Sequence, residues 1–321
     1  MRINKLTKWT AVLTLALPVL LMAQRGDEEG EADKSGSVAF KFLNLQYDAR
    51  GAALGGLAAQ ASGAEALFWN PAGLAKASGL GFSAGMTQWL VETSYMNAGA
   101  VIPMAGGVLG VGFISVDYGD FMASGWAEVG GSYVFNPNAG TFTASDNALQ
   151  VSYGRFLSDK FSVGGSAKMV SESIEDESLS GLAFDVGTQF NTGYKNLQLG
   201  AVISNFGPSV DPVEKSESGL APPMTFSFGA VGQAFGDDSM GLMAGINVVK
   251  LSDMAQRIAV NGEMTVAGMI KIRGSYTLGD LVQDALSFGA GINMAGISVN
   301  VAMTQMVAFD PVMRFSLGYQ L

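Results

Sequence analysis

Gly81-Phe82-Ser83-Ala84-Gly85 has the G-x-S-x-G spacing of a serine nucleophile. That chemistry needs a strand-to-helix turn under the serine and a histidine to take its proton. The 321-residue chain contains no histidine and no cysteine. Triad catalysis, thiolate and imidazole metal sites and disulfides are therefore excluded, and Ser83 is read as a strand residue. The carboxylates Asp27, Glu28, Glu29, Glu31 and Asp33 cluster in one segment but lack the spacing of a calcium loop. Gly106 and Gly110 have the G-x-x-x-G spacing, which in a β region reports strand glycines and not helix dimerisation. A non-enzymatic protein is expected, with no catalytic residue, no metal and no cofactor.

The charged residues become informative through the elements that hold them. Lys168, Asp185, Glu263, Lys271, Arg273 and Arg314 all fall on the polar side of runs that alternate with period two. Ile297, Val299, Val301 and Met303 oppose Ser298, Asn300, Ala302 and Thr304. Leu182, Phe184, Val186 and Phe190 oppose Asp185, Gly187 and Gln189 in the same way. Period alone does not separate a soluble sandwich, charged outside, from a membrane barrel with a polar lumen. Composition does: Gly is very common at 43 residues, charged residues make up 14%, hydrophobic residues 48%, and mean hydropathy is +0.28. After the first 23 residues no uncharged apolar run reaches the length of a membrane helix. A closed barrel is then the spanning structure available, because an open sheet leaves backbone groups unsatisfied in lipid.

Alternating runs lie near 80–90, 94–104, 106–118, 146–157, 161–173, 180–192, 196–206, 223–235, 240–251, 256–268, 269–279, 285–295, 296–307 and 313–321, about 14 strands and an even number. The expected fold is all-β, a transmembrane antiparallel barrel. Its last strand carries Phe315, Leu317, Tyr319 and Leu321 on the lipid side, pairs with the first strand to close the barrel, and serves as the signal for the outer-membrane insertion machinery. Tyr95, Tyr118, Tyr133, Tyr153, Tyr276, Tyr319 and Trp89 are expected at membrane interfaces. Phe121 to Thr143 is expected as an external loop or an extra hairpin.

Four divisions follow. Residues 1–23 read as a secretory signal peptide, with Arg2, Lys5 and Lys8 ahead of an apolar stretch and Ala23 before the break. Residues 24–37 form an acidic linker, 38–79 an N-terminal hatch, and 80–321 the barrel. Without the three leader cations the chain has 15 basic and 28 acidic residues, a net charge of −13, which gives nucleic acid no basic stripe. The hatch lacks alternation and is rich in small residues, and Asn70-Pro71-Ala72-Gly73 reads as a turn leading into a short capped segment.

Phe42-Leu43, Ala49-Arg50-Gly51, Gly55-Gly56, Ala66 and Asn70-Pro71-Ala72-Gly73-Leu74-Ala75 resemble the opening signature of the PorV/PorQ family of outer-membrane barrels. The likeness continues through Ser145–Lys168, Ala183–Gly187, Leu197–Gly207 and the last strand. It implies a relation to FadL-type fatty-acid channels, barrels plugged by an N-terminal hatch with a similar turn. It also implies a role in type IX-like protein secretion or surface assembly, with cargo proteins or secretion components docking on external loops and outer-membrane lipid around the wall. A FadL-like channel for hydrophobic small molecules is the alternative, with a pocket between hatch and wall lined by Met and Phe. Arg50 is expected to latch the hatch through Asp185 or Glu263.

Overall fold

The computed structural model describes residues 36–91, 93–104, 106–211, 219–279, 286–306 and 309–321. The signal-peptide and linker assignments fall almost wholly outside the described residues.

Fourteen antiparallel strands close into one barrel, each hydrogen-bonded to its sequence neighbours and the last to the first. They are β1 (Gly81–Gln88), β2 (Ser94–Met104), β3 (Gly107–Val129), β4 (Ser132–Ser158), β5 (Phe161–Ile174), β6 (Glu177–Asn191) and β7 (Gln198–Phe206). The second half runs β8 (Thr225–Gly236), β9 (Gly241–Leu251), β10 (Arg257–Val266), β11 (Ile270–Leu278), β12 (Leu286–Met294), β13 (Ile297–Gln305) and β14 (Val312–Gln320). Closure is made by Gly81 opposite Gln320 through Gln88 opposite Met313. No sheet edge is left open between the first and last strands.

Alternation sorts the two faces of the wall. On β13, Val299 and Met303 are exposed outside while Asn300, Ala302 and Thr304 are buried. On β14, Phe315, Leu317 and Tyr319 point outward, and Arg314 is buried. Large apolar side chains thus cover the outer wall, and the polar set faces in, the arrangement of a barrel that sits in lipid.

Two expectations change. Phe121 to Thr143 is neither a loop nor an additional hairpin: it is the continuation of β3 and β4 themselves, which stay paired to Val129 opposite Ser132. Cross-strand aromatic pairs support this extension, Phe121 with Phe142 at 5.3 Å and Trp126 with Phe135 at 5.7 Å between centroids. The aromatic girdle is also smaller than expected. Tyr133, Tyr276 and Tyr319 lie on the outer face, but Tyr95 is buried inside, and Trp89 and Tyr118 pack against the same internal cluster. Tyr95 shares the parity of Asn97 and Gly99 on β2, so its ring follows the lumen face.

Inside the barrel lies the N-terminal segment, built from 3-10 turns at Lys41–Asn44, Gly63–Phe68 and Pro71–Lys76 and one short helix, α1 (Ala49–Ala53). Asp48 caps α1 by accepting from Gly51 N at 2.8 Å, and its second oxygen accepts from Trp69 Nε1. A side chain at position 51 would meet the Trp69 ring at 2.1 Å, so the Arg50-Gly51 step requires glycine. Asn70 caps the Pro71–Lys76 turn by accepting from Ala72 N at 3.1 Å. Proline at the first position suits such a start, since its missing N–H would be unpaired there anyway.

Candidate functional site

The segment is seated on a row of wall glycines. Gly154 of β4 lies opposite Gly164 of β5, and Gly164 opposite Gly187 of β6; two residues further along, Gly200 of β7 faces Gly229 of β8. Backbone of the inner segment lies directly on this row. A Cβ would fall 2.3 Å from the Pro71 carbonyl at Gly164, 2.0 Å from Asn70 Oδ1 at Gly187, and 2.1 Å from the Ala58 carbonyl at Gly200. Asn70 completes the seat, its Nδ2 donating to the Ala58 carbonyl at 2.6 Å and the Thr188 carbonyl at 3.1 Å. The turn Asn70-Pro71-Ala72-Gly73 is thus a docking element as well as a cap.

Two of the spaces left inside the barrel lie on either side of the stretch from Asp48 to Ala58. One, about 540 Å³, opens toward the barrel end that carries Gly296 and Gln320, and its walls are charged. Arg273 Nε donates to Glu263 Oε2 at 2.7 Å, Arg50 Nε lies 3.5 Å from the same oxygen, and Lys271 Nζ lies 3.8 Å from Oε1. Arg50 also pairs with Glu65 of its own segment. Burial disfavours the charge on Arg50, but Glu65, Glu263 and Asp48 outweigh it and hold its pKa above the ordinary value. Burial pushes the Glu65 carboxyl up, against the pull of Arg50.

The other space is a cavity of about 150 Å³ on the side of the longer loops, between the inner segment and the wall. Leu57, Phe68, Trp69, Trp89, Ile114 and Leu251 supply apolar and aromatic surface. Among the described residues no methionine lines it, contrary to expectation. The methionines that do point outward, such as Met86, Met96 and Met169, are at least half exposed.

Beside this cavity the wall is irregular. The β6–β7 ladder shifts register between Phe184 and Val186 and stops at Phe184 opposite Phe206, so Glu177–Ala183 has no β7 partner. Asn205 stands in the shift with φ of 58°, the left-handed region that asparagine tolerates best among non-glycines. Its N–H donates to Asp185 Oδ1 at 2.9 Å, its Oδ1 accepts from Lys168 Nζ at 2.7 Å, and its Nδ2 donates to the Leu43 carbonyl at 3.3 Å. Lys168 and Asp185 pair at 2.8 Å, and Asp185 is therefore not the partner of Arg50. Side chains, not a backbone ladder, hold this part of the wall to the inner segment. Replacing Asn205 with Ala is expected to cost about 2–4 kcal/mol, combining lost buried hydrogen bonds with left-handed backbone strain. A lowered denaturant midpoint of the purified barrel in detergent would register it.

The sequence-derived candidates thus separate. Arg50, Glu263, Lys271 and Arg273 meet in the charged chamber, whereas Lys168, Asp185 and Arg314 line the apolar cavity. Arg314 is 1% exposed, stacks over Trp89 at 5.6 Å, and donates to the Gln46 carbonyl at 3.2 Å. Phe315, Leu317, Tyr319 and Leu321 are exposed on the outer wall, and Leu317 and Tyr319 also contribute to the lining of the charged chamber. Gln150 and Asn205 were not anticipated. Gln150 carried a signal, since it shares the inward parity of Ser152 on β4; Asn205 carried none, because a register shift breaks parity. Ser83 lies mid-strand opposite Gly318 and Gly99, with no turn beneath it.

No protein-family model matches the sequence, and no curated protein matches it. Solved structures do resemble the fold. The toluene transporter TbuX of Ralstonia pickettii superposes with a TM-score of 0.62 at 12% identity, over 88% of this chain and 100% of that one. The toluene transporter TodX of Pseudomonas putida gives 0.56 at 13% identity, over 84% and 96%. A FadL homologue of Pseudomonas aeruginosa gives 0.53 at 12% identity, over 86% and 99%. At this identity the likeness is one of architecture: the chain has the FadL-type barrel fold, fourteen strands closed around a short N-terminal helical segment.

Proposed function

We propose that this chain is a non-enzymatic outer-membrane channel that admits small hydrophobic molecules, exported by its N-terminal signal and seated in outer-membrane lipid by the insertion machinery. The observation that carries this reading is the 150 Å³ cavity between the inner segment and the barrel, where aromatic and aliphatic side chains such as Phe68, Trp69, Trp89 and Leu251 stand beside polar ones. Such concave, mostly apolar spaces with a few placed polar groups are what small-molecule sites look like. The neighbours named as toluene transporters support it by fold. The inner segment, residues 38–79, acts as the hatch, held by Arg50, Gly51, Gly55, Gly56, Asn70, Pro71, Ala72 and Gly73. In cells lacking the gene, uptake of labelled toluene or of a labelled long-chain fatty acid is expected to fall, and to return with the gene. Unchanged uptake of both sinks the channel.

A second reading, a PorV/PorQ-type role in protein secretion or surface assembly, has one observation in its favour. The β3–β4 hairpin extends past the other strands and exposes Met122, Trp126 and Tyr133 at 78%, 70% and 73%, a surface a protein partner would cover. Retention of secreted proteins by the same deletion strain, with uptake intact, would favour this reading over the first.

A further inference from the structure

Three enclosed polar atoms around the apolar cavity have no hydrogen-bond partner among the described residues: Asn44 Nδ2, Gln46 Oε1 and Gln150 Oε1. All three residues line that cavity. Gln150 is 1% exposed, and its Nε2 is committed to the Leu67 carbonyl at 2.9 Å, so its unmet end is the acceptor. Asn44 Oδ1 accepts from Thr225 Oγ1 at 2.9 Å and Asn205 Nδ2 at 3.3 Å, so its unmet end is the donor. Enclosed polar atoms are almost always paired, and those that are not call for a specific reason.

The cavity therefore offers two unmet acceptors and one unmet donor within a lining that mixes aromatic and aliphatic side chains with polar ones such as Ser227, Asn247 and Thr277. A hydroxyl group donates one hydrogen bond and accepts others, so it meets the donor and one of the two acceptors. Four charged side chains line the cavity: Lys168, Asp185, Arg257 and Arg314. Lys168 is neutralised by Asp185 at 2.8 Å, and Arg314 donates to the Gln46 carbonyl at 3.2 Å and to Thr304 Oγ1 at 2.7 Å. The volume, about 150 Å³, is that of an apolar cavity able to hold a benzene-sized molecule.

We propose that the cavity selects small neutral hydroxylated aromatics, the phenol and cresol class, over the corresponding hydrocarbons. This rests on the hydrophobic-channel reading and deepens it. A site built to hydrogen-bond a hydroxyl rejects the analogue that lacks it, because its own buried groups are then left unpaired.

p-Cresol and toluene differ by that one hydroxyl. Calorimetric titration of each into the purified barrel in detergent micelles, with micelles alone as blank, is expected to show p-cresol bound at least about tenfold more tightly. Of Gln150→Leu and Gln46→Leu, made separately, at least one is expected to shrink that preference severalfold, read as the ratio of the two affinities. The second variant keeps the test valid if loss of the Gln150 bond to Leu67 prevents folding. Equal or tighter binding of toluene by the unaltered protein, or a p-cresol preference that survives both variants, overturns the hydroxyl site while leaving hydrophobic uptake standing. Binding of neither compound, in a protein whose deletion also leaves cellular uptake unchanged, overturns the channel and the hydroxyl site together.

Discussion

Gly200→Ala is expected to unseat the N-terminal segment, although it adds a single methyl group. That methyl would lie 2.1 Å from the Ala58 carbonyl oxygen and 2.6 Å from both the carbonyl carbon and Ala59 Cα, all backbone with no rotamer to yield. Forcing extra volume into a packed interior costs about 1–3 kcal/mol, and here relief requires the inner segment to lift from the wall. The expected result is faster tryptic cleavage at Arg50 and Lys76 and a rise in single-channel conductance in planar bilayers. Gly274→Ala is the matched control. It sits in the same sheet, on β11, but its new methyl would meet nothing nearer than 3.7 Å, so stability should be unchanged or slightly improved. Equal protease resistance and conductance in the two variants would show that the glycine row does not hold the segment.

Glu263→Gln is the second change with a large expected effect. The carboxylate is shared by Arg273 at 2.7 Å, Arg50 at 3.5 Å and Lys271 at 3.8 Å, and the Arg273 side chain is 1% exposed. Removing the charge leaves three cations facing one another around a neutral amide. Breaking one partner of a buried ion pair costs about 3–5 kcal/mol. The lower half of that range is expected here, because the 540 Å³ chamber beside Arg50 admits water. Denaturant unfolding in detergent measures the loss. The double variant Glu263→Leu with Arg273→Leu should recover part of it, since the buried Arg273 charge is gone, Arg50 keeps Glu65, and Lys271 keeps its bond to Thr265 Oγ1 at 2.7 Å. A single variant as stable as the unaltered protein would mean that the network is fully hydrated and latches nothing.

Strand number and the sidedness of the wall were legible in the residues because each is decided locally. A side chain on a strand faces lipid or lumen by parity, and Val299, Asn300, Val301 and Ala302 announce both faces within four positions. The turn of the inner segment was legible for a similar reason: Asn70 before Pro71 is a start signal that acts over three residues. Legibility failed where local cues competed. Tyr95 and Trp89 stand near strand ends, as interface aromatics do, yet parity and the packing of Arg314 over Trp89 draw them inside. The Phe121–Thr143 stretch carries too much glycine and serine to look like strand, and its aromatic cross-strand pairs exist only once the hairpin is in register.

What the sequence determined by itself is a closed antiparallel barrel with a greasy outside, a polar inside and a non-strand segment ahead of it. Tertiary structure alone decided what that segment touches. Gly154, Gly164 and Gly187 are scattered along the chain and become one row only through strand register. Arg50 meets Glu263 and not Asp185 because Asn205, turned inward at a register shift, has already gathered Lys168 and Asp185. The apolar cavity arises from residues between Leu43 and Arg314 that no period connects. Parity is set one residue at a time, whereas register and docking are set by the summed fit of backbone to backbone across the lumen.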